Sequence, residues 1–181
     1  YYGIYWRGTG TSAKTEDHVF DGNTITDAYV YSTYFYYTDN LKFRNNNISA
    51  INSPTTHYGL YGYYNDNAFE VIGNEFVITG SGTKYGIRPY YSDGTASTPG
   101  LIVNNIVAID CGSSDGYGIY NYYSSYQNFI NNSVSVNSTS TSSQAARFYY
   151  SSTSYSDNNI LNNAFSNVTG DGYTMFVYNP N

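Results

Sequence analysis

Residues 117–134 read YGIYNYYSSYQNFINNSV, and they hold both phrases from which the rest of the chain is built. The closing part, Phe129-Ile130-Asn131-Asn132-Ser133-Val134, is an apolar residue, two variable residues, an asparagine, one more residue and another apolar residue. The same phrase recurs as Phe20–Asn23–Ile25, Phe43–Asn46–Ile48, Val71–Asn74–Phe76, Leu101–Asn104–Ile106 and Ile160–Asn163–Phe165. The opening part, Tyr117-Gly118-Ile119-Tyr120, has counterparts centred on Ile4, Val30, Leu60, Ile87, Ala146 and Met175. The two phrases alternate from end to end in steps of 23 to 32 residues. A fixed period in that range belongs to solenoids and other repeat architectures.

The 181 residues correspond to one domain by length. Only 11% are charged, 25 are tyrosine, and Tyr, Val, Ile, Thr and Phe dominate, a composition that favours strands. No window shows apolar residues at helical spacing, so the chain reads as all-β. A net charge of −6 and an isoelectric point near 4.5 argue against binding nucleic acid, which needs clustered Lys and Arg. Cys111 is alone, so there is no disulfide framework. No apolar run approaches the roughly 18 residues of a membrane-spanning helix.

Each repeat divides into short strand-like runs. In the fifth they are 118–123, 127–130 and 133–137, with Asn131-Asn132 between the last two. Polar inserts of variable length fall at 52–57, 80–84, 111–116, 138–143 and 170–172. This predicts a coil with three faces whose length variation is absorbed at a single corner. Coils stacked about 4.8 Å apart give a rod of about 29 Å for six of them. The pattern resembles the right-handed parallel β-helix of the pectin-lyase-like superfamily over the whole chain, carried by the asparagine phrases and the Tyr-Gly-Ile-Tyr runs. In texture it is similar to Asn- and Tyr-rich β-helix repeats of large secreted or surface-attached bacterial proteins.

The resemblance implies an internal asparagine ladder at a recurring corner, and by register its members are Asn23, Asn46, Asn74, Asn104, Asn132 and Asn163. Asparagine suits a tight bend because it tolerates left-handed backbone and its amide can bond to the coils above and below. That reading makes the recurring asparagines scaffold rather than a ligand site.

Alternate residues of a strand point to opposite sides. With Ile4, Val30, Leu60, Ile87, Ile119, Ala146 and Met175 inward, their successors Tyr5, Tyr31, Tyr61, Arg88, Tyr120, Arg147 and Phe176 point out. Two residues further on, Arg7, Thr33, Tyr63, Tyr90, Tyr122, Tyr149 and Tyr178 do the same. One face is therefore expected to carry two rows of rings with arginines among them. Stacked rings contribute about 0.5–1.5 kcal/mol per pair beyond burial, and Arg over Tyr about 0.5–1 kcal/mol. An aromatic area of this size suggests a contact surface. It would meet another copy or a neighbouring repeat module, and flat tyrosine rows also suit sugar rings.

Catalytic chemistry is poorly represented. The resemblance to lyases directs attention to carboxylates for calcium and a base beside them; the nearest candidates are Asp66 and Asp93, with Lys84 and Arg88 nearby in sequence. Two carboxylates fall short of the six to eight oxygens calcium takes, so no cofactor is expected. His18 and His57 are lone and lie in polar connectors, without metal-ligand spacing. Asp21, Glu70, Glu75 and Asp110 do not assemble the carboxylate pair of a glycosidase. Four sequons, at Asn47, Asn131, Asn137 and Asn167, are what a chain this rich in Asn, Ser and Thr produces by chance.

The chain starts and stops inside repeats without distinct caps, so it reads as 1–181 of a longer solenoid, its ends cut within repeats. The expectation is a structural, self-assembling segment of an extracellular or cell-surface filament, adhesin or surface layer. The alternative is a glycan-binding or polysaccharide-lyase-like module.

Overall fold

A computed structural model describes residues 1–150, 157–170 and 172–178. It is an all-β parallel solenoid of about six coils, each contributing a strand to three sheets. The first sheet runs through Tyr2–Arg7, Tyr31–Asp39, His57–Asp66, Lys84–Tyr90, Gly116–Tyr122, Gln144–Tyr149 and Tyr173–Tyr178, with Thr15–Glu16 paired beside the second strand. The second is built of short strands, Val19–Asp21, Lys42–Arg44, Glu70–Ile72, Gly100–Val103, Gln127–Ile130 and Asn159–Leu161. The third holds Thr24–Thr26, Asn47–Ala50, Glu75–Thr79, Ile106–Gly112, Ser133–Ser138 and Ala164–Asn167. Each strand pairs in parallel with its counterpart one coil away. No helix occurs among the described residues, so none is long and apolar enough to cross a membrane.

The coil encloses a single apolar column. Phe35, Leu60, Ile87, Ile119 and Phe148 from the first sheet meet Phe43, Val71, Ile102 and Phe129 of the second and Ile48, Phe76, Val107 and Val134 of the third. Burying each such side chain contributes about 1.5–3 kcal/mol. The glycines of the Tyr-Gly-Ile-Tyr phrase let the sheets approach. A Cβ at Gly59 would lie 2.7 Å from both the Gly86 carbonyl oxygen and Phe76 Cδ1.

Three expectations require correction. In the fourth coil the ladder residue is Asn105, and Asn104 stands beside it in left-handed backbone at φ 56°. Two adjacent asparagines offered two registers, and the true phrase is Ile102–Asn105–Val107. In the second coil Tyr31 aligns with Tyr2 and Tyr58, while Thr33 takes the buried place of Ile4 and Leu60. Tyr34 and Tyr36 therefore fill the outward positions assigned to Tyr31 and Thr33, and Val30 precedes the strand. Finally, length variation occupies two corners. The inserts do lie between the third sheet and the next first-sheet strand, but residues 91–99 make a second long connection where 67–69 suffice one coil earlier.

Candidate contact face

The outward surface of the first sheet carries four rows of side chains rather than two. The first row is Tyr2, Tyr31, Tyr58, Tyr85, Tyr117, Gln144 and Tyr173. Strict alternation hides it, because the pair that follows each of Tyr58, Tyr85 and Tyr117, Gly59-Leu60, Gly86-Ile87 and Gly118-Ile119, turns both residues inward. The second row is Tyr5, Tyr34, Tyr61, Arg88, Tyr120, Arg147 and Phe176. The third is Arg7, Tyr36, Tyr63, Tyr90, Tyr122, Tyr149 and Tyr178. The fourth is Tyr37, Tyr64, Tyr91 and Tyr123, each in left-handed backbone at φ 49–56°. That conformation swings a ring that would otherwise point inward onto the outer face.

Along the first row the rings stack closely. Tyr58 and Tyr85 are 4.6 Å apart at 3°, and Tyr31 and Tyr58 are 4.8 Å apart at 10°. In the third row Tyr90–Tyr122 are 4.7 Å apart, Tyr122–Tyr149 are 5.2 Å apart at 3°, and Tyr149–Tyr178 are 4.7 Å apart at 13°. In the fourth row Tyr64 and Tyr91 stand edge-on against Tyr63 and Tyr90, at 71° and 72°, whereas Tyr123 is tilted at 50° to Tyr122 and Tyr37 stacks on Tyr36 at 20°. Most of these rings are half-buried by one another, and Tyr120 is buried.

In the second row arginines alternate with rings. Arg88 lies 5.4 Å from the Tyr61 centroid and 5.0 Å from Tyr120; Arg147 lies 4.8 Å from Tyr120 and 5.3 Å from Phe176. Each guanidinium is thus clasped between rings of the coils on either side, a cation–π column worth about 0.5–2 kcal/mol per contact. The ion pairs among the described residues are made by Lys14 with Asp39 and Asp66 and by Arg44 with Glu70, so neither Arg88 nor Arg147 has a carboxylate partner there. Their Nε–H groups are buried without an acceptor.

Burial raises the Tyr61 and Tyr85 hydroxyls, opposed by Arg88. Tyr36 is pushed up to about 12, first because its hydroxyl donates to the Tyr37 hydroxyl at 3.0 Å.

The asparagine ladder is directional. The backbone N–H and Nδ2 of Asn46 both donate to Oδ1 of Asn74, at 2.9 and 3.0 Å. Its second Nδ2 hydrogen bonds the Phe20 carbonyl at 3.0 Å. Asn23, Asn74, Asn105 and Asn132 hand both donors to Asn46, Asn105, Asn132 and Asn163 in the same way. An interior member therefore has every amide donor and acceptor satisfied, as a buried polar group requires. The left-handed residue of this corner is the one before each asparagine: Gly22, Asn45, Gly73, Asn104, Asn131 and Asn162.

The other singled-out residues are engaged in the scaffold. Asp66 accepts from Lys14 and, at 2.9 Å, from the Asp93 N–H; Asp93 Oδ1 accepts from the Ser125 N–H and Oγ, both at 2.8 Å. The two carboxylates do sit on neighbouring coils, but no group of three or more metal-ligating side chains forms among the described residues. His57 is fully buried rather than in an open connector, 2.9 Å from Ser32 Oγ, and burial lowers it to about 4. Lys84 is also fully buried, with its ammonium donating to the carbonyls of Ser53 at 3.1 Å, Thr55 at 2.5 Å and Ser81. Burial raises the Cys111 thiol, which points at the Ser114 carbonyl.

The arrangement can stack coils and can present aromatic area; among the described residues it places no nucleophile beside a base in an open cleft. Comparison with protein-family models, with curated proteins and with solved structures gave no match to this chain.

Proposed function

We propose that the chain is a structural, self-assembling segment of an extracellular filament, adhesin or surface-layer protein, with the tyrosine face as its lateral contact surface. The right-handed, pectin-lyase-like form of the coil and the kinship with Asn/Tyr-rich bacterial repeats belong to this proposal. The observation that carries it is the polarity of the ladder. Asn163 offers a backbone N–H and an amide hydrogen of the kind that every earlier coil passes to the next asparagine, and Asn23 offers the matching Oδ1 at the other end. Met175 and Val177 are 47% and 53% exposed where Ala146 and Phe148 one coil back are fully buried. A further coil, from adjoining chain or a second copy, would continue the rows with Tyr2, Tyr5 and Arg7 over Tyr173, Phe176 and Tyr178. Such a head-to-tail contact does not close on itself and gives filaments.

Small-angle scattering at rising concentration tests this. The expected result is a rod that lengthens in steps of one chain, and a Val177→Lys variant that stays short. A wild-type mass fixed at one chain throughout, or a Val177→Lys chain that lengthens equally, would overturn it.

The guanidinium groups of Arg88 and Arg147, set on the aromatic floor without a carboxylate partner among the described residues, favour a second reading, in which the face holds a polysaccharide. Calorimetric titration with neutral and acidic glycans decides it, and no heat from any of them removes it.

A further inference from the structure

The left-handed tyrosines pose a question that packing alone does not answer. Left-handed backbone costs a residue with a Cβ about 1–2 kcal/mol, and glycine and asparagine bear it best. Elsewhere the described residues follow that rule: their other left-handed positions are Gly, Asn or Asp apart from Tyr126. At the corner after the third row it instead places Tyr37, Tyr64, Tyr91 and Tyr123. A strained conformation repeated at equivalent positions points toward a role for the side chain it presents. What each of these residues presents is a second phenol beside the phenol of its predecessor. The centroids are 3.9 Å apart for Tyr36–Tyr37, 4.6 Å for Tyr63–Tyr64, 4.8 Å for Tyr90–Tyr91 and 4.1 Å for Tyr122–Tyr123.

We propose that the paired third and fourth rows are an oxidative modification site, at which phenols of the third row on successive coils are joined as dityrosine. The third row supplies the reacting pairs. Tyr63–Tyr90, Tyr90–Tyr122 and Tyr122–Tyr149 have centroids 5.0, 4.7 and 5.2 Å apart and ring planes within 29°. The fourth row flanks them with further phenols that can pass a radical on. Neighbours are thus held where freely diffusing phenols would meet only by collision, and such positioning accelerates a two-body step by orders of magnitude.

The chemistry balances with a one-electron oxidant as co-reactant. Two tyrosines each give one electron to the oxidant and one proton to water, leaving two phenoxyl radicals with spin on their ring carbons ortho to oxygen. A carbon–carbon bond forms between one ortho carbon of each. The two hydrogens first carried by those carbons move to the oxygens as the rings regain aromaticity. The net change is two phenols to one biphenol, with two electrons and two protons released. The half-buried setting of these rings on an outer face leaves them within reach of such an oxidant. The product would staple one coil covalently to the next.

The test uses the full chain at high dilution with a photo-excited ruthenium polypyridyl complex as oxidant and persulfate as terminal electron acceptor. The expected product is a single chain lighter by two hydrogens per link, with dityrosine fluorescence and a digest in which the Tyr90 and Tyr122 peptides are joined. Its yield should exceed that of the urea-unfolded chain by about tenfold at equal dose. A Tyr90→Phe variant, which keeps the ring and so the packing, should lose the Tyr90–Tyr122 peptide and retain Tyr122–Tyr149. Equal yields folded and unfolded, links scattered without regard to row, or products joined only between chains would each overturn the proposal.

Discussion

Two corners of the coil are made by one device and filled with different residues. At each, a left-handed residue is followed by an inward polar side chain that hydrogen-bonds its equivalent in the neighbouring coil, accepting a backbone N–H throughout the first corner and from Asn65 and Ser92 at the second, where Asn65 itself accepts the Thr38 hydroxyl. At the first corner the pairs are Gly22-Asn23, Asn45-Asn46, Gly73-Asn74, Asn104-Asn105, Asn131-Asn132 and Asn162-Asn163. At the second they are Tyr37-Thr38, Tyr64-Asn65, Tyr91-Ser92 and Tyr123-Ser124, with the Asn65 N–H bonded to Ser92 Oγ and the Ser92 N–H to Ser124 Oγ. The first corner takes residues that suit its backbone. The second has tyrosine in the left-handed position and variety in the polar one, and its tyrosine rings lie on the outer face. Where only the backbone constrains, the sequence is monotonous; where the surface also constrains, the backbone yields.

That comparison can be broken most forcefully at Asn105. Asn105→Ala orphans the Asn74 N–H and Nδ2, the Val71 carbonyl and a lone pair of Asn132 Oδ1, all buried. At about 1–3 kcal/mol per unsatisfied group, with partial relaxation, the expected loss is about 3–5 kcal/mol by urea unfolding. Ser92→Ala at the other corner, which removes an acceptor from one N–H, should cost only about 1–2 kcal/mol. Equal losses would mean that the two corners are not built on the same terms.

Acid supplies a second, intermediate effect. The ladder has nothing to titrate, but His57 sits buried near the inserts with its pKa lowered from 6.5 to about 4. The unfolded chain takes up this proton first, so stability is fully present above pH 6.5 and falls as the pH drops toward 4. The expected loss is on the order of 3 kcal/mol, read from unfolding midpoints, and should be absent in His57→Gln. A His57→Gln chain with the same decline would locate the sensitivity elsewhere.

The smallest effects sharpen the comparison best. Asn104→Val puts a β-branched residue in left-handed backbone and should cost about 1–2 kcal/mol. Tyr64→Asn relieves strain of that size but loses its ring contacts with Tyr37, Tyr63 and Tyr91, so its thermal midpoint should move by less than an equivalent of about 1 kcal/mol. A large loss there would make the fourth row scaffold and not display.

The coil, its period and five of the six ladder residues were legible in the sequence, because asparagine saturates a buried bonding site that no other residue fills as well. The sixth, Asn105, was misread only because its left-handed neighbour is also asparagine. The second polar ladder was illegible, since Thr38, Asn65, Ser92 and Ser124 share a role without sharing a residue type. Of the contact face, Tyr5, Tyr61, Tyr63, Arg88, Tyr90, Tyr120, Tyr122, Arg147, Tyr149, Phe176 and Tyr178 were placed by alternation and lie in those rows. Tyr58, Tyr85 and Tyr117 escaped because alternation breaks at the glycine, and Tyr64, Tyr91 and Tyr123 because it breaks again at the corner. Periodicity reads regular strands; it cannot announce the positions at which the backbone departs from them.

The sameness of the ladder step has a genetic consequence. At the asparagine ladder each coil receives from the one before and hands to the one after the same pair of hydrogen bonds, so the ladder reads alike at every junction. Unequal recombination that deletes or duplicates a whole coil would leave the ladder unbroken at the new seam. A lineage carrying such repeats can therefore alter the reach of the molecule by about 4.8 Å per coil without having to invent a new interface.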